Sequence, residues 1–373
     1  MQCQQGQNGD AVRHLYVHFP FCARICPYCA FYKTRGKRAE VQDFCRALTL
    51  EAENVAMRLP LALETISFGG GTPTALSTEQ LRTLTETFHR VFNLRELREW
   101  SIEANPGSVS RKKAAMLRES GINRVSLGVQ SWDNDLLHLL GREHGARQAE
   151  ESFRTLRSAG FANINIDLMF ALPGQMEAQW RASLEKTIAL WPEHISAYSL
   201  TYEEGTDFLA RRERGEFHAL EDEEAEFFEI GIETLERGGY EQYEISNFAR
   251  PGFRSLHNQA YWRGANYLGL GPSAFSTVQF QRWQNVADHR EYARRITAGE
   301  RPVAAVEELS HAMKRTEQIA LGLRTRDGIP AAIARIECAQ PLIDTGLIAC
   351  SGERLVLTRA GKLVADSITE ELL

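Results

Sequence analysis

The chain has 373 residues, enough for two to three ordinary domains or for one large barrel with an appended module. With 43% hydrophobic and 25% charged residues it can build a sizeable core and does not read as a disordered chain. Its 43 Lys and Arg against 49 Asp and Glu, net −6, argue against a nucleic-acid footprint over the whole surface, and no apolar run approaches the roughly 18 residues of a membrane span.

The opening Met1-Gln-Cys-Gln-Gln-Gly-Gln-Asn-Gly-Asp10 has neither a basic nor an apolar signal region, so a soluble cytoplasmic protein is expected. After this polar tail, Leu15-Tyr-Val-His-Phe19 reads as a strand, and 41–59 carries helical periodicity. Thr65-Ile-Ser-Phe68 is the second strand and runs into Gly69-Gly-Gly71; a helix over 78–92 follows, with Ser77 or Thr78 as N-cap. Trp100-Ser-Ile-Glu103 precedes a helix near 112–120. Arg124-Val-Ser-Leu-Gly-Val129 precedes helical stretches near 133–140 and 147–159. Asn163-Ile-Asn-Ile-Asp-Leu-Met-Phe170, a helix near 178–190 and Ile195-Ser-Ala-Tyr-Ser-Leu200 complete six strand-then-helix units, with Gly121 and Gly160 as helix stops.

That alternation implies an α/β fold with a parallel sheet. Six units favour a partial (β/α) barrel over a closed one of eight, although an open doubly wound sheet fits the pattern too. Residues 221–237 read as an acidic amphipathic helix whose charge run is most simply a solvated face. Residues 243–277 read as a loop region rich in Gly, Asn and aromatics. Helices are expected near 287–298, 310–323 and 330–336, and the end suggests a small helix-plus-wing, winged-helix-like module.

The seven cysteines are an odd count in a large chain, which argues against a disulfide framework. Three of them, Cys22, Cys26 and Cys29, fall within eight residues directly after the first strand. Cys26-Pro-Tyr-Cys29 alone would make a glutaredoxin-like dithiol. With His18 or His14 the three would make a Cys₃His zinc site. As a Cys-x3-Cys-x2-Cys run they would instead give an iron–sulfur cluster three thiolates and leave one iron open. Cys3, Cys45, Cys338 and Cys350 have no motif context and read as free thiols.

The Cys-x3-Cys-x2-Cys loop at the end of the first strand resembles the signature of the radical S-adenosylmethionine (SAM) superfamily. That resemblance implies a [4Fe–4S] cluster ligated by Cys22, Cys26 and Cys29, with SAM chelating the open iron. Phe68-Gly-Gly-Gly-Thr-Pro-Thr74 is then similar to the glycine motif that meets the SAM amino group, which points to Gly70, Gly71 and Thr72. Alone, it would be only a tight loop. Glu103, Gln130, Arg142 and Asp167 lie at or near strand ends and have the chemistry to meet an ammonium, ribose hydroxyls and a carboxylate. Taken singly, each is more often an ordinary strand-end polar residue. Tyr16, Tyr28 and, more weakly, Thr201 carry over as SAM neighbours.

The wider resemblance is to the oxygen-independent coproporphyrinogen III oxidase family. It rests on Tyr16-Val-His-Phe-Pro-Phe-Cys22, Ser101-Ile-Glu-Ala-Asn-Pro106, Ser126-Leu-Gly-Val-Gln130, Gly141-Arg-Glu143 and Asn165-Ile-Asp-Leu-Met-Phe-Ala-Leu-Pro-Gly174. The family implies a core over 14–248 after a disordered tail over 1–13, then a haem-motif loop and helical module over 249–373. Oxidases of this family carry a further cysteine where Phe31 stands, and an N-terminal extension, so coproporphyrinogen oxidation is the alternative reading. The haem chaperone branch carries His-Asn-x-x-Tyr-Trp, found here as His257-Asn-Gln-Ala-Tyr-Trp262. That resemblance implies haem as cargo, with His257 as an axial ligand and Tyr261 and Trp262 as an apolar wall. Read from chemistry alone, the aromatics could equally pack the loop. Haem-accepting proteins and an electron donor are the partners implied; nucleic acid is not, and peripheral membrane contact stays open. Ala30 departs from many relatives, which carry Asp there.

Overall fold

Six segments before residue 200 alternate polar and apolar side chains, and each is a strand. In the computed structural model, which describes residues 11–217 and 221–373, these are β1 (Val12–Phe19), β2 (Leu61–Gly70), β3 (Glu99–Ala104), β4 (Arg124–Gln130), β5 (Ile164–Phe170) and β6 (His194–Ser199). They pair in parallel and in chain order. Between them run α1 (Arg38–Arg58), α2 (Thr78–Val91), α3 (Arg111–Glu119), α4 (Asn134–Leu139), α5 (Ala146–Ser158) and α6 (Glu177–Leu190). Ser77 caps α2 in a reciprocal pair with Gln80, and Gly121 and Gly160 take positive φ just past α3 and α5. Cys3 and the first ten residues of the expected tail lie outside the described residues; Val12 and Arg13 already belong to β1.

Parallel strands covered on both faces usually read as unbroken apolar runs. Here one face only is apolar. Leu15, Val17, Ile66, Phe68, Ile102, Val125, Leu127, Ile166 and Ile195 are buried in one core with helix residues such as Phe44, Leu84, Phe88, Leu156 and Trp180. Each large side chain so buried contributes about 1.5–3 kcal/mol. The opposite face carries His14, Tyr16, His18, Thr65, Glu99, Glu103, Arg124, Ser126, Asn165, Asp167, His194 and Ser196. Groups on strands that are not neighbours meet across this face, Tyr16 with Glu103 and Glu103 with Asp167. The sheet therefore curls into a partial barrel with a polar lumen.

The second half departs from the expected loop over 243–277. After α7 (Asp207–Glu213) and α8 (Glu221–Arg237) come β7 (Glu241–Glu244), β8 (Asn247–Ala249), α9 (Leu256–Trp262), β9 (Tyr267–Leu270), β10 (Phe275–Val278), β11 (Gln281–Asn285), α10 (His289–Thr297) and β12 (Val303–Glu308). These strands of three to six residues are too short to declare a period in sequence. Yet they extend the sheet at both edges to twelve strands, in the order β12-β11-β10-β9-β1-β2-β3-β4-β5-β6-β8-β7.

The chain ends in α11 (His311–Leu323), β13 (Ile329–Pro330), α12 (Ile336–Asp344), β14 (Ile348–Ser351), β15 (Arg354–Leu357), α13 (Arg359–Leu363) and α14 (Ala365–Leu372). The helix expected over 330–336 is a 3₁₀ turn, Ala331–Ile333, and extended Ala334 (φ −91°, ψ 154°) separates it from α12. The three-stranded β13-β15-β14 sheet and its helices close over a second core that includes Ile319, Leu323, Leu342, Ile348, Leu355 and Ile368. This is the helix-plus-wing arrangement. Among the described residues, no helix is long and apolar enough to cross a membrane.

Candidate functional site

The cysteine loop joins β1 to α1 at the C-terminal edge of the parallel strands, where α/β folds build their sites. Its ends are pinned: the Thr34 N–H donates to the Pro20 carbonyl at 2.7 Å and the Cys22 N–H to the Thr34 carbonyl at 3.0 Å. Cys22, Cys26 and Cys29 are free, half-buried thiols, and Cys45, Cys338 and Cys350 are free elsewhere.

The turn after β2 folds beneath this loop. The Gly71 N–H donates to the Phe19 carbonyl at 2.7 Å and the Thr72 N–H to the Phe21 carbonyl at 2.8 Å. A side chain on Gly71 would meet both carbonyl oxygens within 2.9 Å and the Cys22 sulfur at 3.0 Å.

Two thiols have polar partners. The Thr72 hydroxyl donates to Cys22 Sγ (3.6 Å) and accepts from Asn105 Nδ2 (2.9 Å). Arg142 donates from Nη1 to Cys26 Sγ (3.6 Å), and from Nη2 to Asn105 Oδ1 and the Gly128 carbonyl, both at 2.6 Å. Burial pushes the Cys22 and Cys29 thiols up, while the Thr72 hydroxyl and the Lys33 ammonium respectively oppose it. Tyr28 packs on Phe208 of α7 with ring centroids 6.1 Å apart. A cavity of about 440 Å³ opens beside Cys26, Thr72, Asn105 and Arg142.

His18 and His14 do not join the cysteines. His18 Nε2 bonds the Tyr32 carbonyl (2.9 Å) and its Nδ1 meets the Tyr16 hydroxyl (3.0 Å), while His14 Nδ1 meets Thr65 (3.0 Å). Among the described residues no three His, Cys, Asp or Glu side chains, the three cysteines included, gather closely enough to hold a metal ion. The zinc alternative thus loses its fourth ligand.

Below the loop the inner rows bring Tyr16, Glu103 and Asp167 together. Glu103 accepts the Gly70 N–H at 3.2 Å, and Gly70 holds a φ of +106° that other residues rarely take. A side chain on Gly69 would fall 2.7 Å from Glu103 Oε1 and 3.1 Å from the Tyr16 ring. Asp167 accepts from the Ser126 hydroxyl (2.9 Å) and the Asn165 amide (2.7 Å). Burial, helped by the charge of Asp167, pushes Glu103 up to about 8. Burial raises Asp167 as well, against its hydrogen bonds. Glu103 is open to solvent and Asp167 half-buried, and two lumen carboxylates without an ion-pair partner among the described residues suit a cationic ligand, which a SAM ammonium would supply.

Gln130 ends β4 in the left-handed region (φ 69°) at a break in the β4–β5 register, and its amide lies beside Gly128 with Arg142 and Asn105. Thr201 stands exposed two residues beyond β6. Asn105, Ser126 and Asn165 were not singled out from sequence. Asn105 had a signal, an Asn-Pro turn one residue past the strand that carries Glu103.

The His257 segment lies elsewhere. It forms α9, whose start is capped by buried Glu99: its carboxylate accepts the Leu256 and His257 N–H groups, both at 3.0 Å, and the Ser255 hydroxyl at 3.4 Å. Glu99, Thr65 and His14 lie toward the N-terminal ends of their strands, so α9 floors the lumen opposite the cysteine loop. His257 is 3% exposed; its Nδ1 meets the Thr65 hydroxyl at 2.7 Å, and its Nε2 is buried without a partner. Burial pushes it down to about 3, so it is a neutral imidazole at physiological pH.

Tyr261 packs edge-on against His257 (4.8 Å) and Tyr267 (4.6 Å). Trp262 points the other way. It lines a cavity of about 160 Å³ against the C-terminal module, beneath the Arg324 guanidinium at 5.8 Å. Tyr261 and Trp262 therefore do not form one wall.

Residues 16–187 match the family model described as the radical SAM superfamily. The chain is 36% identical over 371 residues to the heme chaperone HemW of Bacillus subtilis (strain 168), covering 96% of this chain and 98% of that one. It is 35% identical over 367 residues to HemW of Mycobacterium tuberculosis (strain ATCC 25618 / H37Rv), covering 96% and 94%. The solved structure of coproporphyrinogen III oxidase (HemN) from Escherichia coli superposes with a TM-score of 0.84 over 98% of this chain and 90% of that one. At 23% identity, that is a likeness of fold. The chain belongs to the radical SAM superfamily, which implies a [4Fe–4S] cluster and SAM. Within it, the chain belongs to the family of these HemW proteins.

Proposed function

We propose that the protein is a haem chaperone of radical SAM type, which binds haem and passes it to an acceptor protein. Cys22, Cys26 and Cys29 are the thiolates offered to the [4Fe–4S] cluster, and SAM occupies the lumen below them. When bound, the cluster supplies a single electron to the SAM sulfonium. The chain's own part is to bind and orient: Glu103 and Asp167 offer negative charge to the cationic and hydroxyl groups of SAM, Gly70 and Gly71 allow close approach, and Thr72 and Arg142 donate to the sulfurs of Cys22 and Cys26. Haem is assigned to the His257–Trp262 segment. In the tautomer in which Nδ1–H donates to Thr65, the Nε2 lone pair of His257 is free for iron.

The observation that carries this reading is the pair of carboxylates in the lumen beneath the cysteine loop, without ion-pair partners among the described residues, in a chain whose relatives are named haem chaperones. Phe31, in the position of the oxidase's further cysteine, counts against coproporphyrinogen oxidation.

The test is anaerobic reconstitution. About four irons and four sulfides per chain are expected. They should be lost on changing Cys22, Cys26 or Cys29 to Ala and kept on changing Cys45 or Cys338. Haem should bind stoichiometrically with a Soret band that responds to His257→Ala or Trp262→Ala, and coproporphyrinogen III should not be turned over. Stoichiometric zinc without sulfide, or robust turnover of that substrate, would overturn the proposal.

A further inference from the structure

Trp262 ends α9 on the side away from the lumen, and what it faces there is charged. The cavity of about 160 Å³ that it lines runs along the seam between α9 and the C-terminal module. Three of the lining side chains are guanidinium groups: Arg254 before α9, Arg263 just past it and Arg354 on β15. Among the described residues, one carboxylate lines the cavity with them, that of Asp327.

These cations are poorly neutralised. Arg263 meets Asp327 at 3.6 Å with a side chain 65% exposed. Arg254 meets Glu241 at 3.3 Å, a carboxylate it shares with Arg326 at 3.2 Å. Arg354 has no carboxylate within ion-pair distance among the described residues. Its Nε and Nη2 donate instead to the Asp327 and Gly328 carbonyls at 2.5 and 2.7 Å, which fixes the guanidinium plane at the cavity wall. The indole N–H of Trp262 is buried without a partner. Arg324, over the Trp262 ring, is already held by Glu244 at 3.2 Å. Three guanidinium groups less one carboxylate leave the lining at +2, in a molecule whose net charge is −6.

Size and charge together select the ligand. Cavities that enclose a whole drug-sized molecule run to about 300–1,000 Å³, so this one takes an arm of a ligand and not its body. Guanidinium groups match carboxylates two bonds at a time, and an excess of two positive charges matches two carboxylates. The cargo assigned above is a flat macrocycle that bears two propionate arms. We propose that this cavity receives the propionate carboxylates of haem, with Arg254, Arg263 and Arg354 as donors and the macrocycle outside it. The inference rests on the haem reading above. Since His257 faces the lumen and Trp262 the module, carboxylate capture and iron ligation are separate contacts on the two sides of α9.

The experiment is an equilibrium titration of the full-length, reconstituted protein in dilute detergent, followed by the Soret band. The ligands are ferric haem, haem dimethyl ester (both carboxylates capped) and metal-free protoporphyrin IX. The ester should bind at least about tenfold more weakly than haem, as loss of hydrogen bonds to charged groups requires. Arg254→Gln and Arg354→Gln should each weaken haem and metal-free porphyrin about tenfold and leave the ester unmoved. Because Arg354 also ties the backbone of the module, Asp327→Asn supplies the opposite sign. Removing the cavity's carboxylate should tighten haem about two- to fivefold and again leave the ester unmoved. His257→Ala should change the haem spectrum and keep the ratio of ester to haem affinity.

Equal affinity for haem and its ester, or arginine variants that weaken both alike, overturns the proposal while leaving haem binding at α9 intact. So does glutarate that displaces haem at comparable concentration, which would make the cavity a site for a small free dicarboxylate. A wild-type protein that binds no haem removes the reading on which the proposal rests, and the proposal with it.

Discussion

Glu103→Gln should stabilise the ligand-free protein and weaken its grip on SAM. Burial raises the Glu103 carboxyl from its ordinary 4.5 to about 8. Between those values the folded chain keeps a proton that the unfolded chain releases, so stability is full below pH 4.5, declines as pH rises, and levels off above 8. Each tenfold step in proton concentration is worth about 1.4 kcal/mol. The Glu103 side chain is open to solvent in the lumen, so this cost is screened and falls well below what the full shift would give, while its direction and its growth with pH remain. Glutamine does not titrate, and its carbonyl can still accept the Gly70 N–H. Thermal or urea unfolding of wild type and variant at pH 5, 7 and 9 should show a gap that widens with pH in the variant's favour. SAM binding should move oppositely, losing about 1.5–3 kcal/mol or more than tenfold in affinity. A stability gap independent of pH, or unchanged SAM affinity, would refute the argument that this carboxylate is held ready for a cation.

Arg142→Met removes the N–H donor to Cys26 Sγ and should lower the cluster potential by roughly 20–60 mV, a hydrogen bond's worth for one electron; an unchanged midpoint in an EPR redox titration would show that this contact does not tune the cluster. Lys113 donates to the carbonyls of Thr74, Leu76 and Ser108 at 2.5, 2.8 and 3.0 Å, so Lys113→Met strands buried acceptors under the glycine turn. It should cost about 2–3 kcal/mol in unfolding free energy, and a loss below ~0.5 kcal/mol would contradict the clamp. His257, depressed to about 3 by burial, adds stability that is complete above pH 6.5 and is lost as pH falls toward 3. His257→Phe should therefore flatten the acid limb of the wild-type stability profile, and parallel profiles would mean that the ring is solvated.

The barrel half of the fold was legible because its strands announce themselves twice, by their apolar rows and by the helix that comes after each. All six were found, with starts up to four residues late, as at Leu61, where the strand begins outside the expected Thr65. The strand-end polar residues could be listed but not sorted. Neighbours across the barrel, which sequence does not give, bring Glu103 and Asp167 together in the lumen. Arg142 was expected to meet a carboxylate; the fold hands two of its donors to Asn105 and Gly128 and a third toward Cys26. The edges were not legible: β8 has three residues, and β9 runs parallel to β1 from more than 240 residues away in the chain. Nor could spacing show that neighbours in one motif part company.

Helix α9 is a single stiff strut of seven residues, with His257 and Tyr261 on the lumen side and Trp262 on the side of the C-terminal module. It has no hinge within it, so a change on either side tilts or slides the whole strut. The effect of altering His257 therefore cannot be read as the loss of one imidazole, nor that of Trp262 as the loss of one ring. Their single-mutant losses should fail to add, and a double-mutant cycle, with the Soret band and the SAM affinity recorded on the same samples, is the form in which this segment's contributions become separable.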